Sequence, residues 1–293
     1  KAHVDERAKQ NIPPLPLSAD QTSDLIELLK SENDESEYLL NLLKERVPAG
    51  VDQSAYVKAA FLADITSGKT LSPYINKIEA VRILGTMLGG YNIEPLIKCL
   101  KIDELGDEAA NALSNTLLIF DAFNEILELS KDNKYAKKVI NSWAEGEWFT
   151  KKTDIAEQIK LTVYKVPGEI NTDDLSPATD AWSRPDIPLH ALAMFKMPRE
   201  GLDRPLEIID ELKAKGNPLV FVGDVVGTGS SRKSATNSVL WHMGDEIPCI
   251  PNKKEGGFCF GGKIAPIFYN TLEDSGAFPV ECDVSKLEMG QEI

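Results

Sequence analysis

Apolar residues recur at helical spacing through the first half of the chain and alternate through much of the second. Leu25, Ile26, Leu28 and Leu29 make one short amphipathic face, and Tyr38, Leu39, Leu42 and Leu43 make another. Tyr56, Ala60, Phe61 and Ile65 form a third, ended by Gly68; Ile78, Val81, Leu84 and Leu88 form a fourth, ended by Gly89-Gly90. Pro95 fits the first turn of the next helix. Leu113, Leu117, Leu118 and Phe120 continue the series, followed by Ile126–Leu129 and Tyr135–Trp143. Strand signals are missing from Ser18 to Ile159. Such serial helical hairpins predict an α-solenoid of HEAT type, and a plain helical bundle is the other arrangement that the pattern allows.

Near Leu161 the period changes. Leu161–Val166 alternates as a strand, which puts a boundary at Gln158–Lys160 and predicts domains over 1–159 and 160–293. Pro218–Val222 reads as a buried strand, Ile247–Ile250 as a short one and Phe278–Val284 as a third. Glu207–Lys215, Thr236–Gly244 and Pro266–Ser275 read as helices, and Glu255–Lys263 as a glycine-rich loop. Strands alternating with helices predict an α/β layer domain. The chain stops at Gly290-Gln-Glu-Ile with no closing turn, so it is expected to stop inside that domain.

Composition narrows the function classes. Of the 293 residues 42% are hydrophobic and 27% charged, ordinary values for a folded globular chain. The net charge is −14, and residues 1–160 carry 19 basic and 26 acidic side chains, so each half stands at −7. Bulk electrostatics therefore disfavours nucleic acid, although a local basic face is compatible with it. No apolar run has the length of a membrane span, and the N-terminus lacks the apolar core of a signal peptide. Cys99, Cys249, Cys259 and Cys282 show no C-x-x-C spacing; they read as reduced thiols, and the expected compartment is the cytoplasm.

The chemistry concentrates in Gly223–Ala235, GDVVGTGSSRKSA, between a predicted strand and a predicted helix. A strand-to-helix junction offers unpaired backbone N–H groups and the positive end of a helix. Gly227 and Gly229 allow a tight bend, Ser230 and Ser231 supply hydroxyls, and Arg232 supplies a fork that matches a carboxylate or phosphate. Two nucleotide motifs fail here. The second glycine of a P-loop would fall on Thr228, and the third glycine of a dinucleotide fingerprint would fall on Arg232. A small-anion site and a glycine-rich turn with an ordinary serine cap both fit what remains. Arg184 stands beside a stiff Arg-Pro step, and His190 reads as packed or hydrogen-bonded rather than catalytic.

Asn171–Pro177 with Ala181–Asp186, then Gly223–Ala235, then Gly261–Gly276 resemble the bacterial aconitase B family, the aconitate hydratase 2 / 2-methylisocitrate dehydratases. The helical first half is similar to that family's HEAT-like domain, so the likeness extends over nearly the whole chain. The Gly-Ser-Ser-Arg motif also occurs in isopropylmalate and homoaconitate dehydratases, against which the helical first half argues. The resemblance implies an α-solenoid followed by an α/β swivel domain. It also implies a hydro-lyase interconverting citrate and isocitrate through cis-aconitate, with dehydration of 2-methylisocitrate as a related reaction. Under it Ser230 is the base, Ser231, Arg232 and Arg184 bind substrate carboxylates, and Asp173 is an active-site carboxylate. The family's [4Fe–4S] cluster is the implied cofactor, with its ligands outside this chain, so the chain alone is expected to be inactive. A homodimer through the helical domain and mRNA binding are the implied macromolecular partnerships. A binding module with a solenoid platform and an anion-holding glycine loop is the competing reading.

Overall fold

A computed structural model describes residues 2–116, 119, 122–151 and 156–293. Leu117, Leu118 and Phe120, assigned above to a helical face, lie outside the described residues. The chain divides into two compact units. One comprises Leu15–Ile155 together with Pro248–Pro251; the other comprises Lys1–Pro14, Ala156–Ile247 and Asn252–Ile293. The N-terminal helix α1 (Ala2–Ala8) belongs to the second.

The first unit is helical. Its elements are α2 (Ala19–Leu29), α3 (Ser36–Asn41), α4 (Gln53–Ser67), α5 (Lys77–Gly85), α6 (Ile93–Cys99), α7 (Asp103–Ser114), α8 (Ala122–Leu129), α9 (Lys134–Ala144) and α10 (Glu147–Thr150). They pack in series: α2 on α4, α4 on α5, α5 on α7 and α7 on α9. Local chemistry sets the ends. Ser18 and Gln21 form a reciprocal capping box on α2, Asn76 caps α5, and Gly68 closes α4 at φ +78°. The predicted faces are corrected in detail. Leu25, Ile26 and Leu29 are buried but Leu28 is exposed, and α4 packs through Ala55, Ala59 and Leu62 while Tyr56 faces outward. Helix α5 ends at Gly85 rather than at Gly89-Gly90, so Leu88 lies beyond it and is 69% exposed.

The second unit is built on a parallel sheet of β1 (Thr162–Asn171), β2 (Leu219–Thr228), β5 (Phe258–Ile264) and β6 (Phe278–Glu281), in that spatial order. A separate two-stranded ribbon joins β3 (Asp245–Glu246) to β4 (Lys254–Glu255). The helices are α11 (Thr172–Leu175), α12 (Ile187–Ala191), α13 (Pro205–Lys213), α14 (Arg232–Met243) and α15 (Pro266–Asp274). Alternation gives the sheet two unlike faces. Tyr164, Val166 and Phe221 enter one core with Val239 and Leu240 of α14 and Phe268 of α15. Val163, Val220 and Val222 meet Val284 in a smaller cluster. Two sequence readings are overturned here. Phe258–Ile264, read as part of a loop, is an inner strand; Ile247–Ile250, read as a strand, forms turns in which Cys249 has φ +65°.

Candidate functional site

Strands β1 and β2 run side by side and end together, with Asn171 opposite Thr228. In open parallel sheets the carboxyl ends of the strands are where loops converge on ligands. Strand β1 turns into α11, capped by Asn171, whose side chain accepts from Asp173 N while Asp174 Oδ2 accepts from Asn171 N at 2.8 Å. Strand β2 continues through Gly223 to Thr228, longer than its apolar run suggested. The turn itself is only Gly229-Ser230-Ser231 before α14 begins at Arg232.

Glycine is required at two points. Gly227 has φ +83°, and a Cβ there would sit 2.2 Å from the Phe268 ring. Gly229 has φ +113°, and a Cβ there would lie 2.4 Å from Thr172 Oγ1 and 2.7 Å from Asn171 Oδ1. The two loops are thereby pressed together, and Ser231 N donates to Thr172 Oγ1 at 3.3 Å. Ser230 is exposed at the tip, and Asp173 is exposed at the start of α11. Arg232 Nη1 reaches back to Gly229 O at 3.5 Å.

Arg184 is held from several sides. Its N donates to Asp180 O at 2.9 Å, its Nε pairs with Asp180 Oδ1 at 3.3 Å, and its Nη1 donates to Leu189 O at 3.1 Å. Asp180 is 4% exposed, and its carboxyl is lowered first by a hydrogen bond from Lys196 Nζ, then by the charges of Lys196 and Arg184. His190 completes the frame. Its Nδ1 lies 3.2 Å from Arg184 O, and its Nε2 lies 2.7 Å from Ser176 Oγ. A carbonyl oxygen only accepts, so in the neutral ring Nδ1 carries the proton and Ser176 donates to Nε2.

Arg184 and Ser231 line one cavity of about 350 Å³, together with Ser176, His190, Ser234 and Asn237. Ser238 also lines it; this residue is 1% exposed and its Oγ has no hydrogen-bond partner within the protein. A buried hydroxyl without a partner is costly, and a polar ligand or water in the cavity would satisfy it. Of the residues singled out from sequence, Arg184 and Ser231 therefore share a cavity. Ser230 and Arg232 flank Ser231 in the chain, and Asp173 follows Thr172, the acceptor of Ser231 N; none of these three lines the cavity. Ser176, Ser234, Asn237 and Ser238 were not singled out from sequence. The helical spacing of Ser231, Ser234 and Ser238 was the available signal, because it puts three hydroxyls near one face of α14.

The cysteines do not fit an iron–sulfur cluster. Cys99 and Cys249 belong to the helical unit, Cys259 and Cys282 to the other. Burial raises all four thiols, Cys259 up to about 12, whereas cluster ligation requires thiolates. Among the described residues no three His, Cys, Asp or Glu side chains are grouped to hold a metal ion, and no helix is long and apolar enough to cross a membrane.

Comparison with known sequences covers both units. A family model described as "Aconitate B N-terminal domain" matches residues 1–149, and one described as "Aconitate hydratase 2 N-terminus" matches residues 161–293. The aconitate hydratase B of Pseudomonas aeruginosa is 58% identical over 302 residues, covering 100% of this chain and 35% of the relative. The aconitate hydratase B of Synechocystis sp. is 59% identical over 298 residues and that of Helicobacter pylori 50% over 295, each match covering 100% of this chain and 34% of the relative. The chain thus spans about a third of the length of the curated relatives it matches.

Proposed function

The chain belongs to the aconitase B family, and from that premise we propose that it supplies the base and part of the carboxylate-binding surface of a hydro-lyase site. The reaction is the interconversion of citrate and isocitrate through cis-aconitate, with 2-methylisocitrate as a related substrate. The observation that carries this reading is the shared cavity of Arg184 and Ser231 at the N-terminus of α14, with the unpartnered Ser238 hydroxyl in its wall.

Each residue has a task that its chemistry allows. A tricarboxylate requires several fixed cationic forks, and Arg184 and Arg232 are two. Ser231 and the first N–H groups of α14 bind a carboxylate oxygen at the positive helix end. Ser230 Oγ takes the proton from the carbon beside a substrate carboxylate, the neighbouring hydroxyl leaves as water, and the reverse steps rebuild either isomer. A serine hydroxyl is a very weak base, so Ser230 works only once Arg232 and the closure of the site around substrate favour its ionised form. Asp173 adds a carboxylate at the rim. Because the cysteines do not fit the family's [4Fe–4S] cluster, no step here runs through it.

Replacing Arg184 or Arg232 by Lys keeps the charge and removes the fork. In a whole-length aconitase B carrying this sequence, either change is expected to lower kcat/KM by about ten- to a hundredfold, the loss of one charge-assisted hydrogen bond. Unchanged kcat/KM in both variants would contradict the assignment.

The helical unit is assigned to association. Its serial packing supports the HEAT-like reading, and Val51, Leu71 and Leu88 are 75%, 81% and 69% exposed. Such surfaces serve partners, here first a second copy of the chain, with mRNA as the alternative partner. Light scattering of the chain is expected to give the mass of a dimer at high concentration; a monomer at every concentration would count against self-association.

A further inference from the structure

Helix α1 lies far from the cavity in sequence but sends a side chain to its frame. Arg7 is 5% exposed and grips both oxygens of Asp186, Nη2 donating to Oδ1 at 2.6 Å and Nη1 to Oδ2 at 3.0 Å. The two residues are 179 positions apart in the chain. Arg7 Nε donates to Pro13 O, so the segment around α1 aims the fork.

Asp186 stands at the joint of the Arg184 loop. It follows Arg184 by two residues, and its side chain caps α12 by accepting from Leu189 N at 3.4 Å. Its backbone O accepts from His190 N at 2.9 Å. Leu189 O and the His190 ring are in turn the partners of Arg184 Nη1 and of Arg184 O. One carboxylate therefore fixes the short helix that supports the guanidinium and the backbone of Arg184. Nothing within the loop neutralises Asp186 as Arg7 does, and a largely buried carboxylate without a partner must either draw in water or move outward.

We infer that Arg7 is a positioning residue for the Arg184 loop: the N-terminal helix locks the carboxylate-binding arginine of the cavity through the paired fork on Asp186. The inference rests on the reading of Arg184 as a carboxylate ligand for its functional consequence, but not for the coupling itself. It assigns residues 1–14 to the substrate site and gives a reason why this segment packs in the α/β unit.

Amide hydrogen exchange on the 293-residue chain reads the coupling directly. Arg7→Glu is expected to speed exchange at the amides of Arg184 and His190 by about tenfold, and Arg7→Lys, with charge but no fork, by less. Protection of β1, β2 and α15 should stay unchanged in both. Unchanged protection at Arg184 and His190, or equal loss throughout the α/β unit, would overturn the inference. Kinetics in a whole-length aconitase B carrying this sequence supply the second arm. Arg7→Lys should raise KM about fivefold with kcat within about twofold, since a displaced Arg184 weakens binding in ground and transition state alike. If Arg184→Lys raises KM while Arg7→Lys does not, the positioning role fails. If exchange responds to Arg7 but Arg184→Lys leaves KM unchanged, the coupling stands and the carboxylate reading of Arg184 fails.

Discussion

Single residues carry most of the argument at the site. Gly229 is the clearest, because its φ of +113° and the Asn171 and Thr172 side chains against it leave no room for a Cβ. Gly229→Ala should cost about 2 kcal/mol of backbone strain and displacement and lower the Tm of the α/β unit by several degrees. Calorimetry on the chain would measure it, and an unchanged Tm would mean that the loops yield freely. The glycine and serine content of this turn was legible from sequence because these residues have few other uses at a strand-to-helix junction. Ser176 and Ser238 were not. Their significance lies in the His190 contact and in a missing partner, and both depend on packing between segments far apart in sequence.

Among the elements, α14 joins the site to the core. His242 near its end is 7% exposed, and its Nε2 donates to Ala191 O of α12 at 3.0 Å. Burial lowers its pKa to about 4, with Lys213 and Lys254 adding to the shift against the hydrogen bond to Ala191. The neutral ring is thus the folded form, while the unfolded chain takes up a proton near pH 6.5. Stability from this residue is complete above about pH 6.5 and is lost as pH falls toward 4, in all about 3 kcal/mol. His242→Gln keeps an N–H for Ala191 and removes the titration. The stability advantage of the native residue over this variant, taken from urea unfolding, should shrink by about 2 kcal/mol between pH 7 and pH 5. An advantage independent of pH would refute the account of α14. The elements also mark where sequence reading stops. Helix α15 was legible from Pro266 and Gly276, and β1 from its alternation. Strand β5 was hidden by Gly261 and Gly262, whose lack of side chains admits Ile264 and the Asp224 backbone at close range. Cys249 and Ile250 copy the apolar spacing of a strand, yet Pro248 and Pro251 bracket them and they fold as turns.

At the scale of the whole molecule, a helical part and an α/β part were both legible from the switch in apolar period. Their interleaving was not. Residues 1–14 pack with the α/β unit and Pro248–Pro251 with the helical one, where Cys249 N donates to Glu45 Oε2 at 2.9 Å. Contacts of this kind leave no periodic trace. Lys58 of the helical unit is equally unforeseen. It is fully buried, its pKa is lowered to about 8 by burial, and the charges of Cys249 and Glu45 oppose that shift. The central claim is narrower than the fold: the exposed serine at the tip of the β2–α14 turn is the base of an aconitase reaction. Steady-state kinetics of Ser230→Ala in a whole-length aconitase B carrying this sequence test it most directly. The account predicts that kcat falls by about a hundredfold or more while KM changes by less than about threefold, because a base acts in the transition state. A kcat close to that of the unaltered enzyme would contradict it and leave Ser230 as part of a well-built turn.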